Sequence, residues 1–411
     1  MAARLLVIGL DGLEISLAER MMTEGRMPNM ARLRAKSARY SLDHGLPKYT
    51  GLTWEHFSTG RTPDALDRYS AVSFNPRRYH VAQEPTHAES AFARFESRCV
   101  LFDIPYCDLT RVPDAMGIAS WGAHDPGAPA ACRPATLFDE MTERFGPYPA
   151  TDYIYGMLWQ SEERTLRGGE ALAEAVRVRA RAARWMLVER LTDWDLAVVV
   201  VSEPHSAIEP LWHGVDADHP LHALPSAAPA RRGIESVYAE VDALIGMLTE
   251  ALPEAAVMVF AMHGMGANDA DVPAMSLLPE LLYRRQFGEP YMLDLPWPDS
   301  LPNGVPLLSE NDNWHWVMEE RVPKLDSDRV RDFISARVER NDVPIEAAEI
   351  DYQPASRYRP FWPDMEAFAL PSFYDGRVRI NLFLVVIDLG VGLQRWRLAF
   401  PLLVILWLRW S

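Results

Sequence analysis

The sequence predicts an α/β fold with a doubly wound, mainly parallel sheet and helices on both faces. Three apolar runs of strand length, at residues 5–10, 195–201 and 256–261, are separated by stretches of helical composition. A strand that is buried on both faces of a parallel sheet has such a continuous apolar sequence. Because strands and helices alternate along the chain, we expect parallel strands joined by right-handed crossovers.

Four other segments complete the predicted order of elements. Residues 100–105 are a further strand candidate. Residues 160–192, rich in Ala, Arg, Glu and Leu, predict a long helix or a helix pair, and residues 232–252 are also predicted to be helical. Residues 121–150 are rich in Gly, Pro and Ala, and we expect them to form an inserted loop over the sheet edge.

The composition narrows the class of partner. The chain has 411 residues, is 48% hydrophobic and 24% charged, and carries a formal net charge of -16. These fractions are ordinary for a soluble globular protein. The negative charge argues against binding to a nucleic-acid backbone. It still permits a small phosphorylated substrate, because a bound cation can reverse the local field.

The sequence also predicts a cytoplasmic protein. Only six apolar residues precede Asp11, which is too short for a signal-peptide core. The three cysteines, Cys99, Cys107 and Cys132, form no CxxC pair, and we expect them to be reduced. The late apolar run at residues 398–408 is too short to span a bilayer, so no membrane span is predicted.

Residues of the types that bind metals follow each of the three main strands. Asp11 comes directly after the first strand, His205 and Glu209 follow the second, and His263 follows the third. The carboxyl ends of parallel strands meet at one edge of the sheet, where such folds bind ligands. His205 and Glu209 are four residues apart and would share one face of a helix, so both could bind the same ion.

The order of these motifs resembles the alkaline phosphatase superfamily, and especially its type I phosphodiesterase/nucleotide pyrophosphatase branch. Besides the strand that ends at Asp11, the resemblance rests on Thr50, which stands nine residues before the Thr59-Gly60 pair. It extends over roughly residues 4–382. It implies an alkaline-phosphatase-like fold in which the strand-end Asp11 binds a metal and Thr50 is the nucleophile.

The resemblance also implies how two metal ions, most simply zinc, would be bound. Asp11, Thr50 and His263 would bind the ion next to the nucleophile, and His205 and Glu209 would bind the other. In the usual family pattern an Asp and a His four residues apart bind one zinc, and a Trp follows three residues after the His. Counting back from Trp212 therefore places a His and a Glu where the family has Asp and His, so the two ligand types are exchanged.

The sequence departs from the family a second time at His263. The usual Asp-His-Gly motif appears here as Met262-His263-Gly264. A thioether is a poor replacement for a carboxylate in a zinc site built on oxygen and nitrogen. Either that ion has fewer ligands, or a nearby group such as Glu203 or Asp269 substitutes.

The C-terminal part differs most. From Phe383 onward the sequence changes to Leu, Val, Ile, Trp and Arg, and the last histidine is His315, although the family has a late histidine ligand. We therefore expect a C-terminally incomplete hydrolase domain over residues 1–382 and an out-of-frame tail over residues 383–411, in a chain that is inactive or nearly so. The alternative is a native, divergent end.

Taken with the resemblance, these residues predict a metal-dependent hydrolase of phosphate esters that uses a Thr nucleophile. Phosphodiester or nucleotide pyrophosphate bonds are the expected targets. The alternative is a non-catalytic alkaline-phosphatase-like scaffold that has lost its metal site, as Met262 and the missing late histidine would suggest. The number of bound metal ions distinguishes the two, because a scaffold should bind none and the hydrolase about two.

Overall fold

The chain divides into two compact units. The computed structural model describes residues 4–42, 52–76, 79–155, 161–262, 264–266, 273–297, 299–302, 304, 306–307, 314–323, 350, 353–372 and 376–381. The first unit comprises residues 1–71, 84–267 and 297–313, and the second comprises residues 72–83, 268–296 and 314–411. One hydrolase domain over residues 1–382 stays a prediction, and the tail over residues 383–411 lies outside the described residues.

The strands of both units are numbered along the chain. They are β1 (Arg4–Leu10), β2 (Val72–Asn75), β3 (His80–Gln83), β4 (Cys99–Phe102), β5 (Met116–Ala119), β6 (Ala131–Arg133), β7 (Leu196–Val201), β8 (Ala255–Ala261), β9 (Asp299–Ser300), β10 (Pro306–Leu307), β11 (Ala367–Ala369) and β12 (Val378–Ile380).

The helices are numbered in the same way. They are α1 (Ile15–Thr23), α2 (Pro28–Lys36), α3 (Thr53–Thr59), α4 (Pro63–Leu66), α5 (Leu137–Phe145), α6 (Glu162–Trp185), α7 (Glu203–Leu211), α8 (Ala227–Ala251), α9 (Leu278–Phe287) and α10 (Trp314–Arg321). Within the described ranges, no helix has both the length and the apolarity needed to cross a bilayer.

A six-stranded sheet in the order β6-β5-β4-β7-β1-β8 forms the centre of the first unit. All neighbouring strands are parallel except β5 and β6, which are antiparallel. The predicted α/β class with a mainly parallel sheet is confirmed. Leu10 pairs with Val201 on one side and with Ala261 on the other, so β1, β7 and β8 end side by side. Residues that follow these three strands therefore start from the same edge.

Both faces of this sheet are covered. Leu6, Ile8 and Leu10 of β1 are buried in a cluster that also contains apolar residues of α1, α6 and α8. Val7, which points to the opposite face, is buried in a second cluster with Trp54 of α3. This alternation is the two-residue period of a strand, and it explains why β1 has a continuous apolar sequence.

The two long helical predictions are confirmed, but the loop prediction for residues 121–150 is wrong in part. That segment contains β6, at the sheet edge, and the helix α5. Leu137 and Met141 of α5 are buried at the four-residue spacing of a helix face. The surrounding Gly and Pro residues masked this short amphipathic stretch. The strand β5 was also missed, because it has four residues and contains Gly117.

The second unit has its own aromatic core. Two antiparallel hairpins, β2–β3 and β11–β12, belong to it. Tyr358, Trp362 and Phe368 are among its buried residues, and the rings of Trp362 and Phe368 stack with centroids 4.9 Å apart. None of the residues predicted from the sequence to act in catalysis falls in the described part of this unit.

Candidate functional site

Three of the predicted site residues lie together at the carboxyl edge of the sheet. Asp11 directly follows β1, and its backbone N–H donates to the carbonyl of Val201 at 3.0 Å. The helix α7 starts two residues after β7 ends and carries His205 and Glu209 on one face. His205 Nδ1 is 3.1 Å from Asp11 Oδ2, and His205 Nε2 is 3.6 Å from Glu209 Oε1. The side chains of Asp11, His205 and Glu209 thus form one continuous cluster.

A fourth residue, His124, joins this cluster from the loop after β5. Its ring stacks on that of His205, with centroids 3.8 Å apart and an interplanar angle of 14°. His124 Nε2 is 3.6 Å from Glu209 Oε1, and His124 Nδ1 is 3.2 Å from the hydroxyl oxygen of Ser206. One donor atom each from His124, His205 and Glu209 lies within 4.8 Å of the other two, the spacing of a group that could hold a metal ion.

Asp11 is almost fully buried and hydrogen-bonded through both carboxylate oxygens. Trp54 Nε1, from α3, donates to Asp11 Oδ1 at 2.8 Å. Burial alone would raise the pKa of Asp11, but the charge of His205 and the hydrogen bonds from His205 and Trp54 outweigh it and lower the pKa to about 2. Asp11 therefore stays ionised and supplies a fixed negative charge beside His205.

The two stacked histidines have opposite electrostatic environments. Burial disfavours the charged form of both rings. For His124 burial and the neighbouring charge of His205 lower the pKa to about 4. For His205 the effect of burial is outweighed by Asp11 and Glu209, which raise its pKa well above the usual value. Without a bound cation these environments favour a neutral His124 and a protonated His205, and a cation bound at His205 would replace that proton.

A buried ion network lies beside the cluster and connects the segments that carry it. Arg179 of α6 donates from Nη1 to Asp103 Oδ2 at 2.8 Å and from Nε to both oxygens of Glu203 at 3.0 Å. All three side chains are fully buried. Asp103 follows β4, and Glu203 is the first residue of α7. One guanidinium group therefore joins the ends of two adjacent strands.

The same network fixes the loop that carries His124. The carboxylate of Asp103 accepts hydrogen bonds from the backbone N–H groups of Trp121 and Gly122, at 2.8 and 2.9 Å. The guanidinium of Arg179 lies 5.0 Å from the centroid of the Trp121 ring. The loop thus leaves β5 along a path that brings His124 to the cluster.

Gly12 brings the turn after β1 close to α7. Its φ is +61°, and a Cβ atom built there would lie 2.7 Å from the Cα and Cβ of His205. Any side chain at position 12 would therefore meet both backbone strain and the helix that carries His205. Glycine at this position is what allows Asp11 and His205 to approach within hydrogen-bond distance.

We predict that Gly12→Ala lowers the free energy of unfolding by ~2 kcal/mol or more, as left-handed strain adds to overpacking against His205. Gly25→Ala is the matched control, because Gly25 has a φ of +74° but a Cβ atom built there would have nothing within 4 Å. The control should cost only ~1 kcal/mol. Urea unfolding measures both values, and equal losses would contradict the assigned role of the contact with His205.

The residues predicted from the sequence and the residues of the described cluster overlap only in part. Thr50 and His263 lie outside the described residues, as does Asp269. Glu203, one of the two predicted substitute ligands, contacts Arg179 and also accepts a hydrogen bond from the hydroxyl of Tyr148 at 3.2 Å. His124 was not among the predicted ligands. The available signal was a histidine in a Gly- and Pro-rich loop near the sheet edge.

Comparison with known proteins adds a family relationship. Residues 5–364 match the family model of type I phosphodiesterase/nucleotide pyrophosphatase. Among solved structures, the chain is similar to phosphonoacetate hydrolase from Sinorhizobium meliloti 1021 in complex with phosphonoformate. That similarity has 16% sequence identity and a TM-score of 0.40, and it covers 78% of this chain and 72% of the hydrolase chain. No curated protein matches the sequence.

Proposed function

Because the chain belongs to the type I phosphodiesterase/nucleotide pyrophosphatase family, we propose that it is a metal-dependent hydrolase of phosphate esters that acts on diester or nucleotide pyrophosphate bonds. The observation that carries this proposal is the convergence of Asp11, His205 and Glu209 at the carboxyl edge of the sheet. Open α/β sheets bind their ligands at this edge. A small phosphorylated substrate in the cytoplasm is part of the same proposal.

The donor atoms fit a divalent cation. Carboxylate and imidazole groups are the ligands that zinc takes in catalytic sites. We propose that Asp11, Thr50 and His263 bind one zinc ion, and that His205 and Glu209 bind another. When bound, such ions supply charge neutralisation at the phosphoryl oxygens and lower the pKa of a coordinated hydroxyl group.

Thr50 is the proposed nucleophile. Its hydroxyl would give its proton to solvent and form a bond to phosphorus while the P–O bond to the leaving ester oxygen breaks, and that oxygen would take up a proton from water. A water molecule would then cleave the bond between phosphorus and the threonine oxygen, releasing the phosphoryl product and restoring the hydroxyl. Support comes from Trp54, four residues later in the chain, which donates a hydrogen bond to Asp11. For His263, support comes from Ala261, two residues earlier, which pairs with Leu10 at the end of β1.

The second candidate function is a non-catalytic binding scaffold. One observation favours it: Met262 stands where the family has a carboxylate ligand, and its side chain is buried in the apolar cluster that contains Trp54 and Phe260. A methionine in such surroundings serves packing. This alternative predicts a folded chain without tightly bound metal.

We predict that the zinc-loaded chain hydrolyses bis(p-nitrophenyl) phosphate in preference to p-nitrophenyl phosphate, and that a chelator abolishes the activity. Release of p-nitrophenol measures both rates. A form in which residues 383–411 are replaced by a family C-terminus is measured in the same assay, and a much higher rate in that form would support the sequence-based expectation that the unaltered chain is nearly inactive. If both forms bind zinc tightly and neither hydrolyses a phosphate ester, the hydrolase proposal is wrong. If neither form binds metal, the scaffold is favoured.

A further inference from the structure

His124 approaches the cluster of Asp11, His205 and Glu209 from a different part of the fold than His205 and Glu209 do. His205 and Glu209 lie on α7, whereas His124 lies in the loop between β5 and β6. That loop is held by the carboxylate of Asp103, which accepts hydrogen bonds from two backbone N–H groups just before His124. His124 itself is buried, with 4% of its surface exposed. The ring is therefore fixed in place by its surroundings.

Both imidazole rings present the same nitrogen to Glu209. Nδ1 of His205 contacts Asp11 Oδ2, and Nδ1 of His124 contacts the hydroxyl of Ser206. In each ring Nε2 is then the nitrogen directed at Glu209 Oε1, at 3.6 Å in both cases. A hydrogen bond from one ring nitrogen to an oxygen acceptor is how metal-binding histidines are oriented so that the other nitrogen coordinates the ion.

The spacing of the three donor atoms suits a single ion. Two donors that each lie about 2 Å from zinc, at a tetrahedral angle, are ~3.4 Å apart. The two distances of 3.6 Å to Glu209 Oε1 are close to that value, and the donor atoms of the two histidines lie within 4.8 Å of each other. Because the two rings are stacked at an interplanar angle of 14°, they would turn toward the ion when it binds. Two histidines and a glutamate are also one of the known ligand sets of catalytic zinc, in which a fourth position remains open.

We propose that His124 is the third protein ligand of the metal ion bound by His205 and Glu209, in the place of the late histidine that the family uses. Asp11 and Ser206 are positioning residues in this site, because each orients one of the two imidazoles. The inference rests on the proposed function for the presence of a metal ion. With His124 as the third ligand, the ion needs no histidine from the C-terminal part of the chain, where none follows His315.

Zinc binding tests this assignment directly. The full chain is stripped with a chelator and then titrated with Zn²⁺ by isothermal titration calorimetry. We expect His124→Ala to lose one binding event or to weaken it by ~100-fold or more, and Ser206→Ala to weaken it by ~10-fold. His87→Ala is the control, because His87 is an exposed histidine outside the cluster, and it should bind as the parent chain does.

A second measurement follows the histidine rings of the parent protein directly and uses a variant only to identify one signal. With ¹⁵N-labelled histidine, Zn²⁺ should shift the Nε2 signals of His124 and His205 at the same equivalence point, and the signal that is missing from His124→Gln identifies His124. A His124 signal that does not move with that of His205, or unchanged zinc affinity in folded His124→Ala, would overturn the assignment.

The results separate this inference from the proposed function. If zinc binding depends on His124, but neither the chain nor the form with a family C-terminus hydrolyses a phosphate ester, the inference stands and the proposed function is refuted. Zinc-dependent hydrolysis in a chain whose zinc affinity is insensitive to His124→Ala would do the reverse.

Discussion

Replacing Thr50 with alanine is expected to abolish phosphodiester hydrolysis and to leave the fold and the metal content nearly unchanged. Loss of a covalent nucleophile typically lowers kcat by ~10⁴-fold or more, because the first chemical step then has no attacking group. The ion next to Thr50 would still have Asp11 and His263 as its proposed ligands. Steady-state kinetics with bis(p-nitrophenyl) phosphate and elemental analysis of the same preparation measure the two properties separately.

Two further variants make this prediction specific. Thr50→Ser keeps a hydroxyl group and should retain part of the activity. Thr23→Ala is the control for removal of a threonine, since Thr23 lies at the exposed end of α1 and its hydroxyl donates to the carbonyl of Glu19. It should behave as the parent chain does. Full activity in Thr50→Ala would show that another group attacks phosphorus.

Asp11, His205 and Glu209 could be placed together from the sequence because the strands before them have an unambiguous pattern. The runs that became β1, β7 and β8 are continuous and apolar, and parallel neighbours must end at the same edge. Only one further assumption was needed, namely that a helix starts soon after β7. The helix α7 does so, and the spacing of four residues between His205 and Glu209 then places them on one face.

His124 could not be placed in this way because its position depends on contacts between distant parts of the chain. It lies in a loop whose path is set by β5, a strand of four residues, and by the carboxylate of Asp103. The φ of Asp103 is +60°, a left-handed conformation that a sequence pattern does not predict for aspartate. No local periodicity therefore points from His124 to α7.

The role of Arg179 could not be predicted from the sequence for a different reason. The helix α6 is rich in arginine. Arg177 and Arg181, two residues before and after Arg179, are exposed and form ion pairs at the surface. Arg179 is fully buried between the carboxylates of Asp103 and Glu203, which follow the ends of β4 and β7. The composition of the helix does not indicate which of the three arginines is buried, and only the packing of α6 on the sheet distinguishes them.

Arg179→Met is consequently expected to lower the free energy of unfolding by ~3–5 kcal/mol, because it leaves Asp103 and Glu203 buried without a cation. Arg177→Met, on the same helix, is the matched control. Its ion pairs with Glu174 and Glu240 are partly exposed, and its loss should cost less than ~1 kcal/mol. Urea unfolding monitored by tryptophan fluorescence compares the two variants.

A triple variant tests whether the loss of stability in Arg179→Met arises from the two buried carboxylates. If the cost arises from uncompensated carboxylates, adding Asp103→Asn and Glu203→Gln to Arg179→Met should restore part of the lost stability, since neutral amides are cheaper to bury than carboxylates. Zinc affinity should nevertheless be lower in the triple variant than in the parent chain, because the contacts that hold the His124 loop and the start of α7 are changed. If Arg179→Met were as stable as Arg177→Met, the buried network would have no part in holding the strand ends together.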